Sequence, residues 1–133
     1  PGPPLAKFQE LTARALVGHP FIARDPGNGI RQIADEFFEA AGIAGSQITL
    51  CAELGSLAAV KQLAAAGLGF AIASGRAIRR DVEEGRLVAI PLQPRLHTPL
   101  EVILPRDKFR SRLINAFADH VCEEFARIAT EQD

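Results

Sequence analysis

The sequence predicts an α/β fold in which a mostly parallel sheet is flanked by helices. Short apolar segments alternate along the chain with longer segments whose apolar residues recur at helical spacing. Each of the three central helices is preceded by a capping residue and followed by glycine, which marks its boundaries. Neighbouring parallel strands need crossover connections, so this alternation favours a parallel sheet with right-handed connections.

After a weak opening helix, the predicted elements follow the order β-α-β-α-β-α-β. They are a helix at residues 7–17, a strand at 20–23, a helix at 30–41, a strand at 47–53, a helix from Ser56 to Gly67, a strand at 68–73, a helix from Ser74 to Glu84 and a strand at 87–90.

The opening helix is predicted only from four apolar residues at helical spacing. The first strand contains Phe and Ile, which favour a pleated surface, and a turn with proline and two glycines follows it. The next helix has a clear 3.6-residue apolar period, with Asn28 as its predicted cap and Gly42 just beyond its end.

The second strand alternates apolar and polar residues, and Ser56 is a suitable N-cap for the helix that follows it. The segment at 68–73 is a continuous apolar run, as expected of a strand covered on both faces. Ser74 begins the third helix, Gly85 stops it, and the strand at 87–90 ends at Pro91.

The last part of the chain is predicted to be a strand and a long helix. A break at residues 93–99 contains two prolines, and a strand at 100–104 and a helix at 108–129 follow. The helix has an apolar residue at every fourth position from Phe109 to Phe125. Burial of this stripe is worth about 10 kcal/mol, so we expect it to pack on another chain or on its own lobe. A homo-oligomer, a dimer or higher, is therefore expected.

Composition excludes several classes of function. The chain has 133 residues, 15 basic and 16 acidic side chains and a net charge of -1, so a nucleic-acid-binding surface is not expected. Methionine is absent, which predicts a fragment or processed form of a longer protein. We find no signal peptide and no membrane-spanning apolar run. Cys51 and Cys122 are predicted to be buried thiols in a reducing compartment.

No catalytic, metal or cofactor site is predicted. Nucleophilic catalysis needs a serine or cysteine with an oriented base, and the three histidines lie in no motif. Residues 67–69 read GLG but enter a strand, so they fail the test for a dinucleotide-binding loop. No group of His, Cys, Asp and Glu has metal-ligand spacing. We therefore expect neither an enzyme nor a cofactor.

Three helix starts are the candidate binding site. In an open parallel sheet, ligands bind beyond the carboxyl ends of the strands. The free N–H groups of helix N-termini attract anions there. The predicted effector-binding residues are Asp25, Asn28, Gly29, Glu53, Ser56 and Ser74.

Each candidate also has a purely structural interpretation. Asn28 and Ser56 are good caps without any ligand, and Asp25 could simply shape its turn. Glu53 could pair with Lys61 or Arg31 instead of a ligand, and an ion pair is the favoured role of Arg31. Lys61 is also well placed to be simply solvated. Whether Ser74 contacts a ligand or only caps its helix stays open at this point.

Four segments together resemble the second lobe of the LysR-type effector-binding domain. Residues 20–29 read PFIARDPGNG and are followed by Arg31, and residues 53–56 read ELGS before Val60 and Lys61. Residues 64–71 read AAAGLGFA, and residues 85–92 read GRLVAIPL. The order and spacing of all four match the family along nearly the whole chain, although no single segment is specific.

The resemblance implies one lobe of a periplasmic-binding-protein-like fold of type 2, with a small-molecule cleft between two lobes. Residues 1–95 are then the second lobe, and residues 96–133 are the strand and helix that in the family return to the first lobe. A winged helix-turn-helix and most of the first lobe would be absent from this chain. It would therefore reach DNA only through the missing N-terminal domain.

The implied function is effector sensing in a cytoplasmic bacterial transcriptional regulator, with no membrane partner. A small anionic metabolite is the expected effector, because helix N-termini line the predicted cleft. The alternative is a solute-binding protein of a transport system, which has the same fold and would need an export signal. An enzyme domain of the same class is a weaker third hypothesis, since no acid/base pair is present.

Overall fold

The computed structural model describes residues 4–97 and 111–131. The chain divides into two units, Pro1–Thr98 and Pro99–Asp133. The first unit contains strands β1 (Leu11–Thr12), β2 (Phe21–Arg24), β3 (Leu50–Leu54) and β4 (Leu92–Gln93), and helices α1 (Ala13–Leu16), α2 (Gly29–Ala40), α3 (Leu57–Ala65) and α4 (Gly75–Glu83). Short 3₁₀ helices cover Pro4–Lys7 and Gly45–Gln47, and α5 (Arg112–Thr130) belongs to the second unit.

All strand pairing in the described residues is parallel, which confirms the predicted fold class. β2 pairs with β3, and β1 pairs with β4. Phe70 forms an isolated parallel bridge to Phe21 on the other side of β2 from β3. The order across this sheet is therefore β3, β2 and the segment that contains Phe70.

The core lies between this sheet and α2. Phe38 and Ile22 are the largest fully buried side chains. The ring of Phe21 meets that of Phe38 edge-on at 5.8 Å and stacks on that of Phe70 at 5.0 Å. Aromatic contacts of this kind add to the free energy gained from burying apolar area, so they fix α2 and the segment around Phe70 on the same strand.

The three central helices match the sequence prediction closely, because local residues specify their ends. Asn28, Ser56 and Ser74 occupy the N-cap positions of α2, α3 and α4. Gly42 and Gly67, two of the predicted stops, have φ values of 73° and 79°. This left-handed conformation is cheap for glycine and costly for other residues.

The helix predicted at residues 7–17 is present only at its end, as α1. Leu11 and Thr12 form β1 instead, and only the four residues of α1 are helical. The N–H of Leu11 donates to the oxygen of Pro91 at 3.0 Å, and the Thr12 side chain accepts from the N–H of Ala15 at 3.3 Å. Pairing with a distant strand and capping by Thr12 outweigh a weak helical period.

Three strand predictions need correction. The strand expected at 47–53 begins only at Leu50, after a 3₁₀ turn, and the one expected at 87–90 is replaced by Leu92–Gln93. Only Phe70 of the run at 68–73 forms a bridge. Strand limits depend on where the partner strand offers hydrogen bonds, which apolar content alone does not reveal. The strand expected at 100–104 lies outside the described residues.

Helix α5 confirms the predicted final helix over its described part. Several of its large apolar side chains are exposed in the single chain, to 79% for Leu113 and 64% for Phe117. The expectation that another chain or its own lobe covers this stripe stays a prediction. The predicted burial of the cysteines was wrong, since Cys51 and Cys122 are both exposed and free.

Candidate functional site

The candidate site is the edge of the sheet at which the parallel strands end. β2 and β3 run side by side to their carboxyl ends, where Arg24 pairs with Leu54. The N–H of Asp25 extends this pairing, donating to the oxygen of Leu54 at 3.2 Å. Because the segment after Phe70 is parallel to β2 on its other side, the chain continues from it into α4 at the same edge. We call this the carboxyl edge, formed by residues 24–30, 53–58 and 74–77.

Three helix N-termini follow the carboxyl edge, one from each neighbouring segment. The Asn28 side chain accepts from the N–H of Ile30 at 2.9 Å. Ser56 accepts from the N–H of Ala59 at 3.4 Å, and Ser74 accepts from the N–H of Ala77 at 3.3 Å. The predicted capping roles are confirmed, so each of these side chains satisfies one N–H of its own helix.

The charge at these helix starts favours an anion. None of α2, α3 and α4 has an acidic residue in its first turn, where such residues commonly balance the helix dipole. Arg31 and Arg76 lie in the first turns of α2 and α4 instead. The partial positive charge at the N-terminus of each of these three helices is therefore not neutralised by an acidic residue in the first turn of that helix.

Glu53 is held by Arg31. Nη1 of Arg31 lies 2.7 Å from Oε2 of Glu53 and donates to the oxygen of Arg24 at 3.0 Å. Its Nε lies 3.0 Å from Asp35. The hydrogen bond to Glu53 is the main cause that raises the pKa of Arg31 above its ordinary value. Of the alternatives for Glu53, the structure shows the pair with Arg31, while Lys61 pairs with Asp81 at 2.8 Å.

Asp25 lies against the start of α3. A Cβ at Gly55 would lie only 2.7 Å from Oδ2 of Asp25, so a larger residue at this position would displace the carboxylate. The backbone oxygen of Asp25 accepts from the N–H of Asn28 at 3.0 Å, which places Asp25 at the start of the turn before α2. Its side chain is exposed. Among the described residues, no ion pair involves this carboxylate.

Sequence reasoning missed two contacts near the carboxyl edge. Nη2 of Arg24 donates to the oxygen of Gly55 at 3.1 Å and so links the ends of β2 and β3. Asp81 accepts from Lys61 of α3 and also from Arg86, at 2.9 Å, beyond α4. An arginine at a strand end was visible in the sequence, but its partner depends on the strand register.

A separate groove of about 430 Å³ lies beside the carboxyl half of α2. None of the predicted effector-binding residues lines it. Its lining includes Thr12, Arg14, Glu36, Phe37, Arg95 and His97.

Two features are absent from the part of the chain that the structure describes. Within residues 4–97 and 111–131, no group of three His, Cys, Asp or Glu side chains could hold a metal ion. No helix in these same ranges is long and apolar enough to cross a membrane.

Comparison with known proteins gives a consistent result. The LysR substrate binding domain model matches residues 1–126. The RuBisCO operon transcriptional regulator of Acidithiobacillus ferrooxidans is 33% identical over 122 residues, which covers 89% of this chain and 38% of that protein. The HTH-type transcriptional regulator CbbR of Xanthobacter flavus is 31% identical, with 68% of this chain and 27% of that protein covered.

A probable RuBisCO transcriptional regulator of Synechocystis is 28% identical, with 92% of this chain and 36% of that protein covered. The chain thus spans well under half the length of the regulators that it matches.

Proposed function

Since the chain belongs to the LysR substrate-binding domain family, we propose that it senses a small organic anion for a LysR-type transcriptional regulator. The family match confirms the resemblance found in the sequence and the fold class predicted from it. The similar proteins described above are named transcriptional regulators, not transport proteins. We therefore set the transport alternative aside.

The observation that carries the proposed ligand chemistry is the set of three helix starts at the carboxyl edge. The first turns of α2, α3 and α4 lack acidic residues, although N-terminal N–H groups and helix dipoles favour negative charge. Bringing three such termini together gives a preorganised surface for a carboxylate or phosphate. β2, β3 and the segment that contains Phe70 are parallel, so the helices that follow them all begin at the same edge of the sheet.

Each predicted site residue has a distinct proposed role. The N–H groups that follow Asn28, Ser56 and Ser74 contact the anion, and Gly29 allows its close approach to α2. Asp25 faces the ligand from the turn. Glu53 acts indirectly, because its carboxylate is held by Arg31.

Ligand binding would act on transcription through the rest of the protein. A ligand that contacts two lobes stabilises the closed arrangement, and this population shift changes the angle between them. In the proposed regulator, the angle sets the spacing of paired DNA-binding heads. The first lobe, the DNA contact, the dimer and the cytoplasmic location belong to this proposal.

Calorimetric titration tests the proposed ligand class. We would titrate the chain with matched panels of anionic, neutral and cationic metabolites at low ionic strength, and repeat any positive titration at high salt. We expect heat of binding only from anions, and weaker binding as salt rises. Binding restricted to cations or to uncharged apolar compounds would contradict the proposal.

A further inference from the structure

The groove beside the carboxyl half of α2 is separate from the carboxyl edge. It lies between α2, the residues at the start of α1 and the segment that follows β4, all within the first unit. Its lining from α2 and the cap of this helix extends from Ile33 to Ala41, whereas the carboxyl edge includes only the first two residues of α2. The 12 residues of α2 span about 18 Å, so the two features lie towards different ends of the helix.

The lining residues that are buried or half-buried are all apolar. Ala13 of α1 and Phe37 of α2 are buried, and Ile33 and Leu96 are half-buried. The volume of about 430 Å³ falls within the range of about 300–1,000 Å³ that is usual for small-molecule pockets. An apolar group that enters the groove leaves water and contacts apolar side chains, which is favourable.

The charged lining residues are all exposed and so form a rim around this apolar surface. Arg14 and Arg95 belong to the rim, and Glu36 is the one acidic residue among the described residues that line the groove. Nη2 of Arg14 donates to the oxygen of Ala41 at 3.3 Å, which places its guanidinium at the carboxyl end of α2. Within residues 4–97 and 111–131, neither arginine forms an ion pair. The rim therefore carries more positive than negative charge.

We propose that this groove binds a compact organic acid in which a carboxylate is attached to an apolar body such as an aromatic ring. The apolar body contacts Phe37 and Leu96, and the carboxylate accepts hydrogen bonds from Arg14 and Arg95, whose planar guanidinium groups suit a carboxylate. A neutral compound lacks the ion pairs, and a small anion lacks the apolar contact, so the site selects ligands that have both features. The inference goes beyond the proposed function, since the groove shares no residue with the carboxyl edge.

Three matched compounds test this ligand class. Benzoate has the ring and the carboxylate, benzyl alcohol has the ring without the charge, and acetate has the carboxylate without the ring. We would titrate each into the ¹⁵N-labelled 133-residue chain and follow the backbone amide shifts of residues 36–41, 93 and 95–97. We expect benzoate to bind about tenfold more tightly than benzyl alcohol, as two exposed ion pairs provide. It should also bind at least about tenfold more tightly than acetate, because burial of the ring adds free energy.

Two arginine variants test the source of the preference for an acid. Arg14→Gln and Arg95→Gln should each weaken benzoate binding by about threefold, since each removes one exposed ion pair, and should leave benzyl alcohol binding unchanged. Arg79→Gln is the matched control, because it removes an exposed arginine of α4 that does not line the groove. It should bind all three compounds as the wild type does.

A third variant fills the groove. Ala40 is exposed at the end of α2 and lines the groove, so Ala40→Phe is compatible with folding and places a ring where the ligand would lie. It should weaken benzoate and benzyl alcohol alike. An unchanged amide spectrum of residues away from α2 would verify the fold of each variant.

The amide shifts separate this inference from the proposed function. Benzoate shifts confined to residues 29–31, 57–59 and 75–77 would overturn the groove as a site and support the carboxyl edge. Shifts along the groove support the inference whether or not the carboxyl edge also binds an anion. Benzyl alcohol or acetate that binds the groove as tightly as benzoate would overturn the ligand class. Unchanged benzoate affinity in both arginine variants would overturn the assigned ion pairs.

Discussion

Replacing Gly69 with alanine should displace the segment that leads from the core to α4. A Cβ at this position would lie 2.4 Å from the backbone oxygen of Pro20 and 3.1 Å from its carbonyl carbon. Carbon atoms in favourable contact lie about 3.5–4.0 Å apart, so the two backbones would have to separate by about 1 Å. The clash involves backbone on both sides, and no side-chain rotation relieves it.

The separation would also weaken two hydrogen bonds that hold this segment on β2. The N–H of Phe70 donates to the oxygen of Pro20 at 2.9 Å, and the N–H of Ile22 donates to the oxygen of Phe70 at 2.8 Å. Overpacking costs about 1–3 kcal/mol, and each lost hydrogen bond costs about 1 kcal/mol. We expect Gly69→Ala to lower the free energy of unfolding by about 2–4 kcal/mol.

Urea unfolding followed by circular dichroism measures this loss. With a slope of about 1.5 kcal/mol per molar urea, the midpoint should fall by about 1.3–2.7 M. Gly45→Ala is the matched control, because a Cβ there meets nothing within 4 Å. It should change the free energy of unfolding by about 0.5 kcal/mol or less. A midpoint for Gly69→Ala that falls no further than the control would refute the close approach of the two backbones.

Three more perturbations test other parts of the account. Phe38 is 2% exposed, so Phe38→Ala should lower the free energy of unfolding by about 3–5 kcal/mol. Phe8 is 46% exposed, so Phe8→Ala should lower it by about 1 kcal/mol or less. Equal losses in urea unfolding would contradict the assigned core. The hydrogen bond from Lys61 lowers the pKa of Asp81 below its ordinary value of 3.8. The resulting stabilisation is therefore present above a pH of about 3.8 and is lost as the pH falls through the lower pKa of the folded state. Asp81→Asn should flatten the acid side of a curve of unfolding free energy against pH. An unchanged curve would contradict the ion pair. In sedimentation velocity, the wild type should associate with rising concentration and Phe117→Asp should associate less; a wild-type monomer at every concentration would contradict the prediction that another chain covers α5.

The sequence predicted the helices better than the strands because different physics sets their ends. Asn28, Ser56 and Ser74 specify helix starts through bonds to residues two or three positions away. β1 and β4 instead depend on each other across most of the first unit. Neither two-residue strand has a local sequence signature. The apolar period therefore predicted a helix over β1 and predicted the last strand of the first unit at residues 87–90, before β4.

The candidate site also has features that the sequence predicts and features that it does not. The three helix starts could be predicted because parallel strands bring their carboxyl ends to one edge. The ion-pair partners of Glu53 and Lys61 could not be predicted, because several pairs are compatible with the sequence. Which pair forms depends on how the helices and strands are aligned against each other. The pairs found are Arg31 with Glu53 and Lys61 with Asp81. Whether the residues at this edge bind an effector stays a proposal.

Amide shift mapping with inorganic phosphate tests the central claim most directly. Phosphate is a compact anion that binds helix N-termini without needing the other features of an effector. If the three helix starts form one surface, the amides of residues 29–31, 57–59 and 75–77 should shift together along a single binding curve. Shifts confined to one helix, or three curves with unrelated midpoints, would show that the helix starts do not act as one site.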